Sequence, residues 1–261
     1  MLDTIKLLLS KDMFWVTDKT YFQKETQNAL RGYFTLVQNP TKTELINGIY
    51  KPRLTMTKRF NTTGRQEATL SIEFSAPKLL FGNNFDELTD NDFPLVVDKL
   101  EEILKTMGIR VFHKLLLSAP VSAVHYSKNI PLTDGTTPHY LISKIKEANI
   151  KLSLDINQTD YRNDGHSFKW HSNSYEVAFY DKIKDLEMAR KSEKRAIEND
   201  NALQLNLFNT FQERKRLEIL RIEVRLNKRQ KIGQLFRSVG INSDLTFKNL
   251  FSKEISQKVL L

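Results

Sequence analysis

The chain has 261 residues, 40 of them Lys or Arg against 31 Asp or Glu, a net charge of +9, and no cysteine. The missing cysteine excludes disulfides, thiolate zinc sites and a cysteine nucleophile, and a 40% apolar content excludes a disordered chain. The length fits one large domain or two small ones.

The first apolar run, IKLLL (5–9), is too short for a signal peptide, and Asp3 and Lys6 interrupt the stretch around it. No run approaches the roughly 18 apolar residues of a membrane helix, so a soluble cytoplasmic protein without a membrane partner is expected. IKLLL, GYFTLV (32–37) and RLTMTKRF (53–60) read as strands, with the turn dipeptide Asn47-Gly48 between the last two. ATLSIEFS (68–75) alternates, with Leu70, Ile72 and Phe74 on one side and Ser71, Glu73 and Ser75 on the other. Early strands in series predict an antiparallel sheet. A helix is expected over about 91–107, capped by Asp90 or Asp92 and stopped by Gly108. VSAVHYS (121–127) reads as a strand, 137–150 as a helix, KLSLDI (151–156) as a strand and 162–166 as a turn. A hairpin then ends at Tyr180. One or two charged helices are expected over 182–216, broken near 199–201. In ILRIEVRL (219–226), Leu220, Ile222, Val224 and Leu226 form one face and Arg221, Glu223 and Arg225 the other. Two helices, 229–238 and 246–258, finish the chain. The pattern predicts an α+β domain, a central and mostly antiparallel sheet with flanking helices, over 1–227, with 228–261 as a short helical extension.

Charge is unevenly placed. Residues 1–180 hold 22 Lys and Arg against 20 Asp and Glu, and residues 181–261 hold 18 against 11. A localised basic surface suggests nucleic acid as partner; the alternative is a solvated helix laced with ion pairs.

Three strands set a potential cation ligand into an apolar alternation: Glu73, His125 and Glu223. Each has a plainer reading. Glu73 fits a solvent-facing position, His125 a core or edge position, and Glu223 a pair with Arg221 and Arg225. No compact metal motif supports them. His166 and His171 flank the hairpin before Tyr180. Tyr180 itself ends a strand and is followed by Lys182 and Lys184. A phenol, with a pKa of about 10, needs a base, a metal or nearby cations to become a nucleophile. The plainer reading is a strand-end packing residue. Trp170 and Tyr161 could stack on bases or fill a core.

Four segments resemble the gene II and gene X replication proteins of filamentous phages, in that family's order. They are LSIEFSAPKLLFGNNF (70–85), VSAVHYS, AFYDKIKDLE (178–187) with its tyrosine–x–lysine element, and LRIEVRLNKRQKIGQLFRSVG (220–240). The sequence departs from the family at His125, where the phage proteins have aspartate, and at Ala123, where they have arginine.

The resemblance implies a fold like that of the HUH-type endonucleases. It also implies rolling-circle initiation on a phage or plasmid element: one strand of a double-stranded origin is nicked, near single-stranded DNA, through a 5′-phosphotyrosyl intermediate. Tyr180 would be the nucleophile and Lys182 its neighbour on the phosphate. Glu73, His125 and Glu223 would hold Mg²⁺ or Mn²⁺, and Lys184, Arg221 and Arg225 would contact DNA. The host replication helicase or polymerase is the implied protein partner. Gene X-like regulation of replication by DNA binding without catalysis is the alternative.

Overall fold

The computed structural model describes residues 1–23, 25–28, 32–60, 63–64, 66–148, 158–191 and 218–261. Its strands are β1 (Leu2–Ser10), β2 (Trp15–Val16), β3 (Thr26–Asn28), β4 (Tyr33–Gln38), β5 (Arg53–Phe60) and β6 (Gln66–Ser75). They continue with β7 (Ile109–Arg110), β8 (Val121–Leu132), β9 (Gln158–Arg162), β10 (Ser167–His171), β11 (Tyr175–Asp181) and β12 (Glu218–Leu226). The helices are α1 (Lys42–Ile46), α2 (Ala76–Phe81), α3 (Phe93–Thr106), α4 (His113–Leu117) and α5 (Pro138–Glu147). After them come α6 (Lys182–Lys191), α7 (Arg229–Ser238), α8 (Phe247–Leu250) and α9 (Lys253–Leu260).

Ten strands form one sheet in the order β3-β4-β5-β6-β1-β8-β12-β11-β10-β9, and each neighbouring pair is antiparallel. Alternation gives the sheet two unlike faces. Ile5, Leu7, Leu54, Leu70, Ile72, Val124, Tyr126, Val224 and Leu226 are buried in one core. α3 adds Val96, Val97, Leu100 and Leu104, and the C-terminal helices add Ile232, Phe236, Phe247, Leu250, Ile255 and Val259. Each such side chain contributes about 1.5–3 kcal/mol on burial. The stretch 228–261, expected as an extension, is helical and is built into this core. A smaller cluster joins Ile142 of α5 to Phe168, Trp170 and Leu220 at the β9 end of the sheet.

The mixed α/β architecture with a large antiparallel sheet agrees with the sequence reading. Several details differ. A capping box between Thr41 and Glu44 starts α1, a helix not expected between β4 and β5. Gly48, at φ +72°, then takes the left-handed turn that Asn47-Gly48 suggested. The 91–107 helix begins at Phe93, and its entry is fixed by Thr89 and Asp92 in a reciprocal cap. The 246–258 helix is two helices, the second capped by Ser252. Trp170 is a core residue, stacked edge-on between Phe168 and Phe179 at 4.8 and 5.5 Å, and is no base-stacking platform. The strand expected over 151–156 and the helical stretch beyond residue 191 lie outside the described residues.

The fully buried Tyr126 links the sheet to α8, its hydroxyl donating to the carbonyl of Leu250 at 2.9 Å. Tyr126→Phe keeps the ring but leaves that carbonyl without its partner. It is expected to lower unfolding free energy by about 1–3 kcal/mol with an unchanged denaturant m-value, as measured by urea titration.

Candidate active site

The strand register assembles a polar surface on the face opposite the main core. Asn129 of β8, Arg221 of β12 and Tyr180 of β11 are cross-strand neighbours in one row. Ser127, Glu223, Ala178, Lys169 and Asp160 form the next row, and His125, Arg225, Glu176 and His171 the one after. Residues in one row share a face because side chains alternate with a period of two. Above these rows opens a cleft of about 670 Å³, lined by Tyr180, Lys182, Lys184, Glu223, Arg225 and His125 among others.

Tyr180 donates its hydroxyl proton to Glu223 Oε2 at 3.1 Å. Arg225 grips the same carboxylate with both arms, Nε to Oε1 at 2.9 Å and Nη2 to Oε2 at 3.1 Å. Its remaining nitrogen, Nη1, reaches Glu176 Oε1 at 2.7 Å. Glu176 pairs with Lys169 at 3.0 Å, and His125 Nδ1 stands 3.5 Å from Glu223 Oε1. Burial alone would push the Glu223 carboxyl up; the charge of Arg225 and the bond from His125 outweigh it and hold Glu223 well below the usual carboxylate range. Burial moves the Tyr180 phenol the other way, well above 10, and Glu223 adds to the shift. At rest the pair is a neutral phenol bonded to a carboxylate.

Beneath this pair lie two buried cations. Arg221, 2% exposed, is fixed by the Asn84 carbonyl and Asn129 Oδ1, each 3.0 Å from Nη1, and by Asp3 at 3.0 Å from Nη2. The Asp3 contact is an ion pair, and among the described residues Nε has no hydrogen-bond acceptor. Lys182, 1% exposed, is the first residue of α6, and its ammonium lies 5.4 Å from the centre of the Phe85 ring. Among the described residues no carboxylate pairs with it. Burial, then the charge of Arg221, lowers its pKa from 10.5 to about 7. Asp181 turns the chain here. Its Oδ1 accepts from the amides of Ile183 and Lys184, and its Oδ2 lies 3.2 Å from His166 Nδ1.

No family model, curated protein or solved structure matches the chain. The site is therefore argued from geometry.

That geometry brings Tyr180, Lys182, Glu223, Arg225 and His125 together, sets Glu73 apart from them, and buries Arg221 beneath them with its Nε 3.9 Å from Glu223 Oε2. Glu73 lines the same cleft, but β1 and β8 run between its strand and β12. Three strand spacings, with a further offset along the strands from Ala123 to Ser127, put its backbone more than about 14 Å from that of Glu223. It pairs instead with Lys6 at 3.1 Å. Arg221 is buried structure and does not face a ligand, contrary to the DNA-contact role expected for it. Lys184 lines the cleft and bonds to Glu187 at 2.8 Å. The expected metal set of Glu73, His125 and Glu223 does not fit a cation. Among the described residues no group of three His, Asp or Glu side chains is placed to hold one, and both oxygens of Glu223 are occupied by Arg225. The sequence reading missed Glu176, Lys169 and the Asp181–His166 contact; the alternation of YEVAFY already placed Glu176 on the Tyr180 face.

The buried ammonium sets a pH-dependent stability. The unfolded amine titrates near 10.5 and the folded one near 7, so between those values the unfolded chain binds more protons. Stability therefore rises with pH across that window. Lys182→Met removes the buried charge and is expected to stabilise the protein at pH 6 by on the order of a few kcal/mol. Urea unfolding at pH 6 and again near pH 10 checks this. The gap between variant and wild type should narrow with rising pH; a gap independent of pH contradicts the assignment.

Proposed function

We propose that the cleft is a strand-transfer site of the rolling-circle initiator kind, in which Tyr180 attacks a DNA phosphodiester. The observation that carries this is the Tyr180 hydroxyl on the Glu223 carboxylate, with Arg225 beside it and two buried cations below, at the floor of an open cleft. The resemblance of AFYDKIKDLE and LRIEVRL to the phage initiators supports the same roles for Tyr180, Lys182 and the β12 residues.

The chemistry follows from the residues. Tyr180 Oη attacks phosphorus, and its proton passes to Glu223 Oε2. The bond from phosphorus to O3′ breaks, and O3′ takes a proton from water in the open cleft. The products are a 5′-phosphotyrosyl link and a free 3′ hydroxyl, and reversal rejoins a strand. Lys182 and Arg221 act on the pentavalent phosphoryl group through a low-dielectric floor, where fixed charges are most effective. At rest, transfer of the tyrosine proton is disfavoured, because Glu223 is held ionised and the phenol neutral. A phosphate arriving at Arg225 competes for the guanidinium and returns basicity to Glu223. The substrate thus switches on its own nucleophile. Magnesium or manganese, implied by the resemblance, supplies no step in this scheme.

The competing reading is a DNA-binding regulator without catalysis. It is favoured by the high proton affinity of Tyr180 in the resting site. Covalent trapping separates the two. Labelled single-stranded oligonucleotides are incubated with protein, with Mn²⁺ or with chelator, and resolved on denaturing gels. Wild type is expected to form an adduct that Tyr180→Phe abolishes and Glu223→Gln slows by about 10²–10⁴-fold. An adduct that survives in Tyr180→Phe moves the chemistry to another residue. Intact DNA binding with no adduct from any form establishes the regulator. An adduct formed only with Mn²⁺ restores the metal that the donor set argues against.

A further inference from the structure

The cleft does not explain the charge of the chain. Its lining carries seven Lys and Arg but eight Asp and Glu. Such a surface has no net attraction for a polyanion, whatever its local chemistry. The excess lies elsewhere, since residues 218–261 hold nine Lys and Arg against four Asp and Glu.

Most of that excess is concentrated in α7, α8 and the turn between them. Residues 227–250 carry Lys228, Arg229, Lys231, Arg237 and Lys248 against a single acid, Asp244. Lys228, Arg237 and Lys248 are exposed, and among the described residues none of the five is paired with a carboxylate. Several exposed lysines of α3 and α5 are matched, Lys99 with Glu102, Lys105 with Glu101 and Lys144 with Glu147. Lys114 of α4 and Lys253 of α9 stand without a carboxylate among the described residues, but they are not clustered with other cations as Lys228, Arg229 and Lys231 are in sequence. The inner face of α7 holds Ile232, Leu235 and Phe236 in the core, so its outward face is left to Gln230, Gln234 and Arg237. Arg229 is spent on structure, donating to the carbonyls of Val121 and Leu245.

We propose that this basic face of α7 and α8 binds the phosphate backbone of nucleic acid outside the cleft. Its polar, glutamine-bearing surface suits phosphates and sugars, and it lacks the large apolar side chains with which a helix enters a bilayer. Asn227 joins the two sites. It immediately precedes Lys228, and its Oδ1 lies 3.0 Å from His125 Nε2 at the end of the cleft. The proposal stands apart from the tyrosine chemistry, because a non-catalytic binder needs the same surface.

The test is fluorescence anisotropy of a labelled duplex and a labelled single strand across a KCl series. Three forms are compared: wild type, the triple variant Lys228→Gln, Arg237→Gln, Lys248→Gln, and a control triple Lys99→Gln, Lys105→Gln, Lys144→Gln. Both triples lower the net charge equally and change only exposed side chains. The first is expected to weaken duplex binding roughly 10- to 100-fold near physiological salt and to flatten the slope of log affinity against log salt by about 2–3. The control is expected to match wild type. Equal weakening in both triples reduces the effect to net charge and overturns the proposal. So does unchanged DNA binding in the first triple. Loss of binding to vesicles of anionic phospholipid, with DNA affinity intact, overturns it in favour of a membrane surface.

Discussion

The buried guanidinium of Arg221 is the interaction on which the rest of the site depends. It sits on a central strand, and its partners come from three separate places in the chain: Asp3 on β1, Asn129 on β8 and the Asn84 carbonyl after α2. Burial disfavours its charge; the carboxylates of Asp3 and Glu223 offset this, and its pKa lies above the ordinary guanidinium value. A charge so placed costs several kcal/mol to desolvate and is tolerated only when partners surround it. The strand order β1-β8-β12-β11 is thus tied to electrostatics as well as to backbone pairing. Replacing Arg221 by an apolar residue would leave Asp3 buried without its cation.

From Arg221 outward, one ion network crosses the sheet. Glu223 is shared by Arg225, His125 and Tyr180, Arg225 by Glu223 and Glu176, and Lys169 by Glu176 and Asp160. Such a network resists piecemeal change, because removing one member strands its neighbours. Lys182 stands outside it, paired with no carboxylate among the described residues, and its burial works against stability. A group that destabilises the fold while facing a cleft is the pattern expected where function and stability compete.

Much of this was legible in the sequence, for a physical reason. Alternation in ATLSIEFS, YEVAFY and ILRIEVRL is a local property and gives the face of each side chain directly. Hence Glu223 and Arg225 are legible as one face of their strand, and Tyr180 as lying on the face of its own strand opposite Val177 and Phe179; the pairing of β11 with β12 brings the two faces together. Strand order is not local. Nothing in the sequence around Glu73 says that β1 and β8 will come between its strand and β12, so Glu73 was grouped with a site it does not reach. Burial of a charge is equally invisible: the resemblance implies a DNA contact for Arg221, yet it is 2% exposed on a central strand. The helices α1, α2 and α4, five or six residues long, are too short for a 3.6-residue period to show.

The separation of charge from chemistry has a consequence for how such a protein could act. If the cleft itself carried the excess positive charge, any phosphate would dwell there, and the Arg225–Glu223 clamp would be contested continually. In the proposed reading, a near-neutral cleft on one face of the sheet and a basic helix packed on the other would divide the tasks. On that proposal, long-range attraction would gather the polyanion on α7 without disturbing the tyrosine, and only a backbone seated in the cleft would compete for Arg225. Activation of the nucleophile then requires position as well as affinity. The charge arrangement therefore favours a phenol kept neutral on the resting protein and made reactive by a correctly seated phosphate, because electrostatic attraction to α7 alone leaves Glu223 clamped.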